Sequence, residues 1–476
     1  MLFNSFAYMC FLPIVFVLYW ALPHRYRCYL LLLASYYFYM SWNVRYVALI
    51  VFTTLISYVT ALLIEKTDRE RTRKLIAASA VLCCLLILFF FKYFNFMADT
   101  FSSLLSLFSI TLHPITLNLL LPVGISFYTF QTLGYVIDVY RGRIKAERNI
   151  IVYATFVSFF PQLVAGPIER STDLLPQIRA QHRFNEQKAI DGLKLMLWGY
   201  YKKLLIADHL SVYVDTVYGN LSGYKGFDLL LAIFFFTIQI YCDFSGYSDI
   251  AIGTAGLLDI DLMTNFRSPY FASSIKEFWS RWHISLSTWF RDYLYIPLGG
   301  NRCGKARHYF NLIFTFLVSG LWHGAGLTFI LWGAVHGLAQ VFEIMLGNRL
   351  ERIRKNPAGV WLCRAAVFAF CNVTWVFFRA QSFADALYVF RYAFEGIRNL
   401  KSFLISAMMT KDTLILLLSY VLILAVHDCM DLLQEKTGRA FTGNKVLRWT
   451  GYVLLGLMIL FGAQKGVAAE FVYFQF

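Results

Sequence analysis

"YFNLIFTFLVSGLWHGAGLTFIL", residues 309–331, places one ionisable ring, His323, in a run of almost wholly apolar residues, with Gly320 and Gly324 on either side of it and Gly326 just beyond. In a soluble core such a run is a buried helix. In a bilayer it is a span with a polar group at depth, and the histidine then calls for a functional explanation. The bulk properties of the chain decide between the two. Of its 476 residues 59% are hydrophobic, 18% aromatic and only 15% charged, and the mean hydropathy is +0.57. Soluble domains do not have that balance. Nearly uncharged windows of about twenty residues recur along the chain, each long enough to cross a hydrocarbon layer of roughly 30 Å as a helix. The sequence reads as a polytopic, all-α membrane protein.

The formal charge of +15 is distributed as membrane topology distributes it. With the N-terminus outside, the turn "PHRYR" (23–27) falls inside, as does "EKTDRERTRK" (65–74) with five basic residues. The almost uncharged segment near 95–113 falls outside, and "YRGRIKAER" (140–148), with four basic residues, returns inside. The charge excess therefore records sidedness, and nucleic acid is not expected as a partner. The first window, "LFNSFAYMCFLPIVFVLYWAL", has neither a basic region before it nor a cleavage site after it, so it is expected to be a retained span. Nine cysteines stand without CxxC pairs or ligand spacing to histidines. They are expected to be small core residues, with no disulfide and no metal.

Beyond residue 150, "IVYATFVSFFPQLVAGPIER" is apolar but interrupted by Pro161, Gly166 and Pro167, which suggests a re-entrant segment. Crossings are expected near 190–217 and 228–256, then near 309–327, 328–346, 358–378, 412–428 and 448–466. The total is about eleven, in one membrane domain, 1–476. Between them lies a long inside loop, 257–308, with seven Lys or Arg against four acidic residues. It contains "SSIKEFWSRWHISLSTWFRDYLYIPLGG" (273–300), whose large apolar residues at 275, 278, 279, 282, 286, 289, 290 and 294 have the spacing of one amphipathic helix. Its opposite stripe is Lys276, Ser280, His283, Ser287 and Arg291. Two readings stand: a helix lying in the lipid interface, or one whose stripe lines a cavity with His283 facing a substrate. His323 should face the bundle interior, and its glycines permit either close helix packing or the passage of a thin substrate chain. His336, on the next helix, is equally consistent with a hydrogen-bonded packing role. His24, His113, His182, His209, His308 and His427 fall near span ends or in loops.

Several stretches carry a resemblance: "YCDFSGYSDIAIG" (241–253), "NFRSPY" (265–270), "EFWSRWHISLSTWFRDYLYIPLGG" (277–300) and "SGLWHGAGLTFILWGAVHG" (319–337). With "LPVGISFYTFQTLGYVIDVYRG" (121–142), "FFPQLVAGPIER" (159–170), the opening "MLFNS" and the closing "FVYFQF", they resemble the membrane-bound O-acyltransferase family. Within it the match is to the bacterial branch that includes alginate O-acetyltransferase and the D-alanyl transfer protein of teichoic acids. The resemblance implies about eleven transmembrane helices with re-entrant and interfacial elements around a central tunnel, in the bacterial cytoplasmic (inner) membrane. It implies His323 as principal catalytic residue and His283 as the second.

An acetyl group passing from a thioester to a hydroxyl needs a base for the hydroxyl proton, and imidazole suits that role. His283 then polarises the thioester carbonyl or passes the proton. Trp282, Arg291 and Trp322 are weaker candidates for lining the donor path. Asp243 and Asp249 are expected to pair with a nearby Arg. No resident cofactor is expected; the donor is acetyl-CoA or another cytoplasmic thioester, free or on an acyl carrier. The outside segments are too short to hold a polysaccharide, and alginate-type members work with separate extracytoplasmic proteins of the SGNH hydrolase type, so such a partner is expected. Peptidoglycan or cellulose acetylation and D-alanyl transfer are alternatives within this chemistry. A lipid or saccharide transporter is the alternative outside it, but repeated halves, its usual mark, are not found.

Overall fold

The computed structural model describes residues 1–110, 115–164, 166–399, 409–438, 444–464 and 471–474. His113 and the last two residues of "FVYFQF" lie outside them. Among the described residues there are helices and turns but no β-strand. Among the same residues seven helices are long and apolar enough to cross a membrane, and Phe6–Ala21 and Ile150–Leu163 are shorter apolar segments. Exposed Leu, Ile, Val and Phe cover their outer faces; the helix Lys445–Gly462 exposes Val446, Leu447, Val453, Leu454, Leu457, Leu460 and Phe461. A water-facing surface does not carry such a patch; a lipid-facing one must.

The chain forms two compact units, residues 1–196 with 250–263, and residues 197–249 with 264–476. The first contains α1 (Phe6–Ala21), α2 (His24–Met40), α3 (Val47–Lys66), α4 (Glu70–Leu88), α5 (Phe94–Ser106), α6 (Ile125–Tyr140), α7 (Ile150–Ser158), α8 (Phe160–Leu163), α9 (Ser171–Arg179) and most of α10 (Glu186–Tyr200). A π-helical turn, Phe89–Tyr93, joins α4 to α5, so one apolar helix of 37 residues runs from Glu70 to Ser106. The outside segment expected from residue 95 therefore begins as helix, because "FNFMADTFSSLLS" keeps an apolar helical face. Helix α6 packs on α3 and α4, and α7 packs on α2 and α9.

The interruption expected near Pro161 is present. Phe159 leaves the helical conformation between α7 and α8, and residues 152–164 are buried. Backbone groups freed at such a break must be satisfied inside the protein. Gln131 and Gln162 both donate from Nε2 to the Phe156 carbonyl at 2.8 and 2.9 Å, and the Phe160 N–H donates to Ser35 Oγ at 3.0 Å.

The second unit contains α11 (Asp208–Gly219), most of α12 (Phe227–Leu257), α13 (Ile275–Arg281), α14 (Ile284–Phe290), α15 (Lys305–His323), α16 (Leu327–Arg354), α17 (Pro357–Arg379), α18 (Phe383–Tyr392) and the helices Lys411–Thr437 and Lys445–Gly462. Here one expectation fails. Residues 273–300 form α13, a break at Trp282–His283, α14 and a π-helical turn, Arg291–Tyr295, instead of one amphipathic helix. The stripe from Lys276 to Arg291 is therefore not continuous. The apolar spacing was real, but His283 takes a left-handed backbone, φ 43° and ψ 55°, that periodicity cannot reveal.

Candidate active site

Three histidines of the second unit are buried: His283 is 3% exposed, His323 7% and His336 0%. Their surroundings separate them. His336 is held at both nitrogens: the Trp279 indole N–H donates to Nδ1 at 3.2 Å, which leaves the proton on Nε2 facing Thr374 Oγ1, also at 3.2 Å. It is a packing histidine with its hydrogen bonds spent.

His283 caps α14 at its N-terminus in the left-handed conformation, a strain of about 1–3 kcal/mol that the surroundings must hold. Asn265, from the "NFRSPY" segment, holds it. The carbonyl of Asn265 accepts the Ile284 N–H at 2.9 Å, and its Oδ1 faces the Ser285 N–H at 3.2 Å, Ser285 Oγ at 2.9 Å and His283 Nδ1 at 3.1 Å. A backbone N–H can only donate, so the amide atom it meets is the oxygen, and the imidazole nitrogen facing that oxygen carries the proton. The lone pair of His283 is thereby placed on Nε2. Asn265 Nδ2 in turn donates to Ser248 Oγ on α12 at 3.1 Å. Burial first, and the neighbouring His323 ring second, hold the His283 imidazole well below its ordinary pKa, so it stays neutral at physiological pH.

His323 ends α15 at the turn into α16, and its glycines explain the placement. A Cβ on Gly320 would stand 2.2 Å from the Phe329 carbonyl oxygen, and one on Gly333 2.3 Å from that of Phe316, so the two helices touch backbone to backbone. A Cβ on Gly324 would meet the Phe329 ring at 2.1 Å. The space beside Gly320 and Gly324 is thus filled by protein; these glycines serve the hairpin rather than the passage of a substrate chain.

Around His323 stand Trp332 at 5.2 Å between ring centroids, Phe378 at 5.4 Å and Tyr473 at 5.7 Å. Tyr473 also lies 4.6 Å from Phe244, which meets the His283 ring edge-on at 4.5 Å. Two aromatic rings therefore bridge the two histidines. Tyr473 owes its position to the acid in "YCDFSGYSDIAIG": Asp243 Oδ2 accepts the Val472 N–H at 2.6 Å, while Oδ1 pairs with the buried Lys203 at 2.7 Å. Lys203 also pairs with Asp208 at 2.8 Å, and Lys202 with Asp249 at 2.6 Å. Asp243 and Asp249 are paired as expected, but with lysines of a π-helical turn, Tyr201–Ala207, rather than an arginine.

Trp282 is buried in the aromatic layer, 5.0 Å from Trp375 and 5.1 Å from Phe266. Trp322 is partly buried at the end of α15. Arg291, at the start of the π-helical turn, has a side chain 59% exposed and paired with Asp292 at 2.8 Å. Asn265, Asp243 and Trp332 lie in motifs visible in the sequence, but their parts are not: Asn265 acts at the backbone break of His283, Asp243 on Val472 far along the chain, and Trp332 by packing across the turn between α15 and α16. Elsewhere in the unit, His427, Asp428 and Asp431 present ligand atoms within 4.8 Å of one another. Asp428 already accepts the Tyr241 hydroxyl at 2.9 Å, and the His427 ring stacks on Trp198 at 3.9 Å. These contacts account for the group as a polar helix contact.

Two buried imidazoles on separate elements, one with its lone pair fixed by a neighbouring amide, suit proton transfer during attack of a hydroxyl on an acyl group. The sequence profile of the membrane-bound O-acyltransferase family matches residues 31–388. The chain belongs to that family. It is a multi-pass membrane O-acyltransferase. It is 42% identical to the probable alginate O-acetylase AlgI of Pseudomonas putida over 80% of this chain and 77% of that protein. To the peptidoglycan O-acetyltransferase of Helicobacter pylori it is 36% identical, over 76% and 72% of the two chains. To the teichoic acid D-alanyltransferase of Bacillus subtilis it is 26% identical, over 52% and 66%. The family match spans both histidines.

Proposed function

We propose that this O-acyltransferase takes an acetyl group from a cytoplasmic thioester, acetyl-CoA or a carrier-bound equivalent, and passes it across the bacterial inner membrane for O-acetylation of alginate. The observation that carries the acceptor is the identity of about two residues in five with the alginate O-acetylases over four fifths of the chain. The peptidoglycan O-acetyltransferase relative supports a second acceptor reading at lower identity. His323 acts as base: it takes the proton of the attacking hydroxyl and returns it to the leaving thiolate. His283, neutral and with its lone pair on Nε2, passes a proton rather than polarising the carbonyl, since its one N–H is already given to Asn265. A hydrated polysaccharide cannot enter an aromatic site of this kind without losing its water. The acetyl group therefore leaves to an extracytoplasmic partner of the SGNH hydrolase type, which acetylates the polymer.

The test is acetyl content of secreted polymer from cells deleted for this gene and complemented with it, with and without the partner. Complementation should restore alginate acetylation only when the partner is present. Restoration of peptidoglycan acetylation instead would move the acceptor to the second reading, and acetylation of polymer by the purified chain alone would remove the relay.

A further inference from the structure

Acyl transfer through His323 leaves one requirement unassigned. As the hydroxyl oxygen bonds to the acyl carbon, the carbonyl electron pair moves onto oxygen, and a preorganised donor must meet that charge. His283 has given its N–H to Asn265. Trp332, on the second turn of α16, has not. It is fully buried, and its Nε1–H finds no hydrogen-bond acceptor among the described residues. Two of its polar neighbours are engaged with each other, because Trp279 donates to His336 and His336 to Thr374. Also around it are the rings of Trp375, Phe378 and Trp279, which carry no strong acceptor. A buried donor left in this state costs about 1–3 kcal/mol, so its retention beside His323 calls for an explanation.

The distance supplies one. A base nitrogen about 3 Å from the hydroxyl oxygen puts the acyl oxygen within roughly 5 Å of the imidazole, and a donor must lie about 3 Å beyond. The rings of Trp332 and His323 meet edge to face in direct contact, with centroids 5.2 Å apart, so both nitrogens lie within reach of one acyl group held beside the pair. The hairpin fixed by Gly320 and Gly333 sets this spacing rigidly.

We propose that the Trp332 indole N–H donates a hydrogen bond to the carbonyl oxygen of the transferring acyl group and stabilises the oxyanion of the tetrahedral intermediate. The intermediate forms as the hydroxyl oxygen–carbon bond is made and the hydroxyl proton goes to His323. It collapses when the carbon–sulfur bond breaks and the thiolate takes that proton, leaving the ester and the thiol. The inference rests on the acyl-transfer role of His323, and its test keeps the two apart. Transfer from radiolabelled acetyl-CoA is measured in membranes holding the full chain and its partner, for wild type, His323→Gln, Trp332→Phe and a chain with 3-benzothienylalanine at 332, which keeps the indole shape without the N–H.

Both 332 variants should lose about 10²–10³-fold in kcat with little change in KM for the donor. The thermal midpoint of the benzothienylalanine chain should not fall below wild type, since no ground-state hydrogen bond is removed, whereas Trp332→Phe also empties part of a packed site and should lower it. Should Trp332→Phe fail to insert, the isosteric chain carries the test alone. Wild-type kcat in a folded 332 variant, with His323→Gln inactive, overturns the donor role and leaves the site intact. Wild-type kcat in His323→Gln overturns both.

Discussion

Two broken helices in this protein look alike in outline and differ in what the break carries. At Phe159, between α7 and α8, the freed backbone groups are met by Gln131, Gln162 and Ser35, side chains that do not titrate in the physiological range. At His283, between α13 and α14, the break is held by Asn265 and Ser285, and the residue under strain is itself an imidazole with a defined tautomer. Interrupted helices inside membrane proteins are therefore not sites by virtue of being interrupted. The first break closes the backbone with non-titrating side chains; the second holds, under conformational strain, the imidazole proposed to transfer a proton.

This contrast can be broken experimentally. His283→Gln should lower acyl transfer by about 10²–10⁴-fold with normal insertion, as expected for loss of an acid–base group; transfer within a fewfold of wild type would place His283 with His336 as a packing residue. Asn265→Leu, which removes the carboxamide but not the bulk, should cost about 10–100-fold, by analogy with other groups that orient a functional imidazole. Asn265→Asp keeps the acceptor oxygens and should recover part of the loss. Equal activity in the Leu and Asp variants would show that the tautomer is irrelevant.

At the other break, Ser35→Ala leaves the buried Phe160 N–H without its acceptor and should destabilise the protein by about 1–3 kcal/mol, with activity per inserted molecule unchanged. A chemical defect there would erase the distinction.

A further expected effect is a pH dependence. Glu169, in the loop after α8, is pushed up to about 8 by burial while accepting the Met263 N–H at 2.6 Å. A carboxyl whose folded pKa is raised favours folding fully only below its ordinary value near 4.5, and that contribution is lost as pH rises through about 8. Glu169→Gln keeps the acceptor oxygen and removes the titration, so its thermal midpoint should fall less than that of wild type between pH 5 and pH 9. Parallel curves would remove the assignment.

Sequence patterning carried far at the level of helices. The apolar windows placed α17 within one residue at each end and α15 within four, since lipid demands uninterrupted hydrophobicity over a fixed length, while α16 runs eight residues past its expected end. It also marked the break near Pro161, where proline and glycine are visible signals. It failed at His283, because a left-handed residue in an otherwise amphipathic pattern leaves no compositional trace. It left Gly320 and Gly324 open between helix packing and a substrate passage, since their packing partners are known only once α15 and α16 lie together. Asn265 and Tyr473 reach the histidines from segments distant in the chain, a relation that only folding displays.

The central claim is that acyl transfer by this protein passes through His323. The most direct measurement follows the label of radioactive acetyl-CoA into O-acetyl ester, in membranes holding the partner and equal amounts of wild-type or His323→Gln protein. The account predicts matched appearance of ester and free CoA thiol with wild type and neither above background with the variant. Ester formation by His323→Gln at the wild-type rate would contradict it.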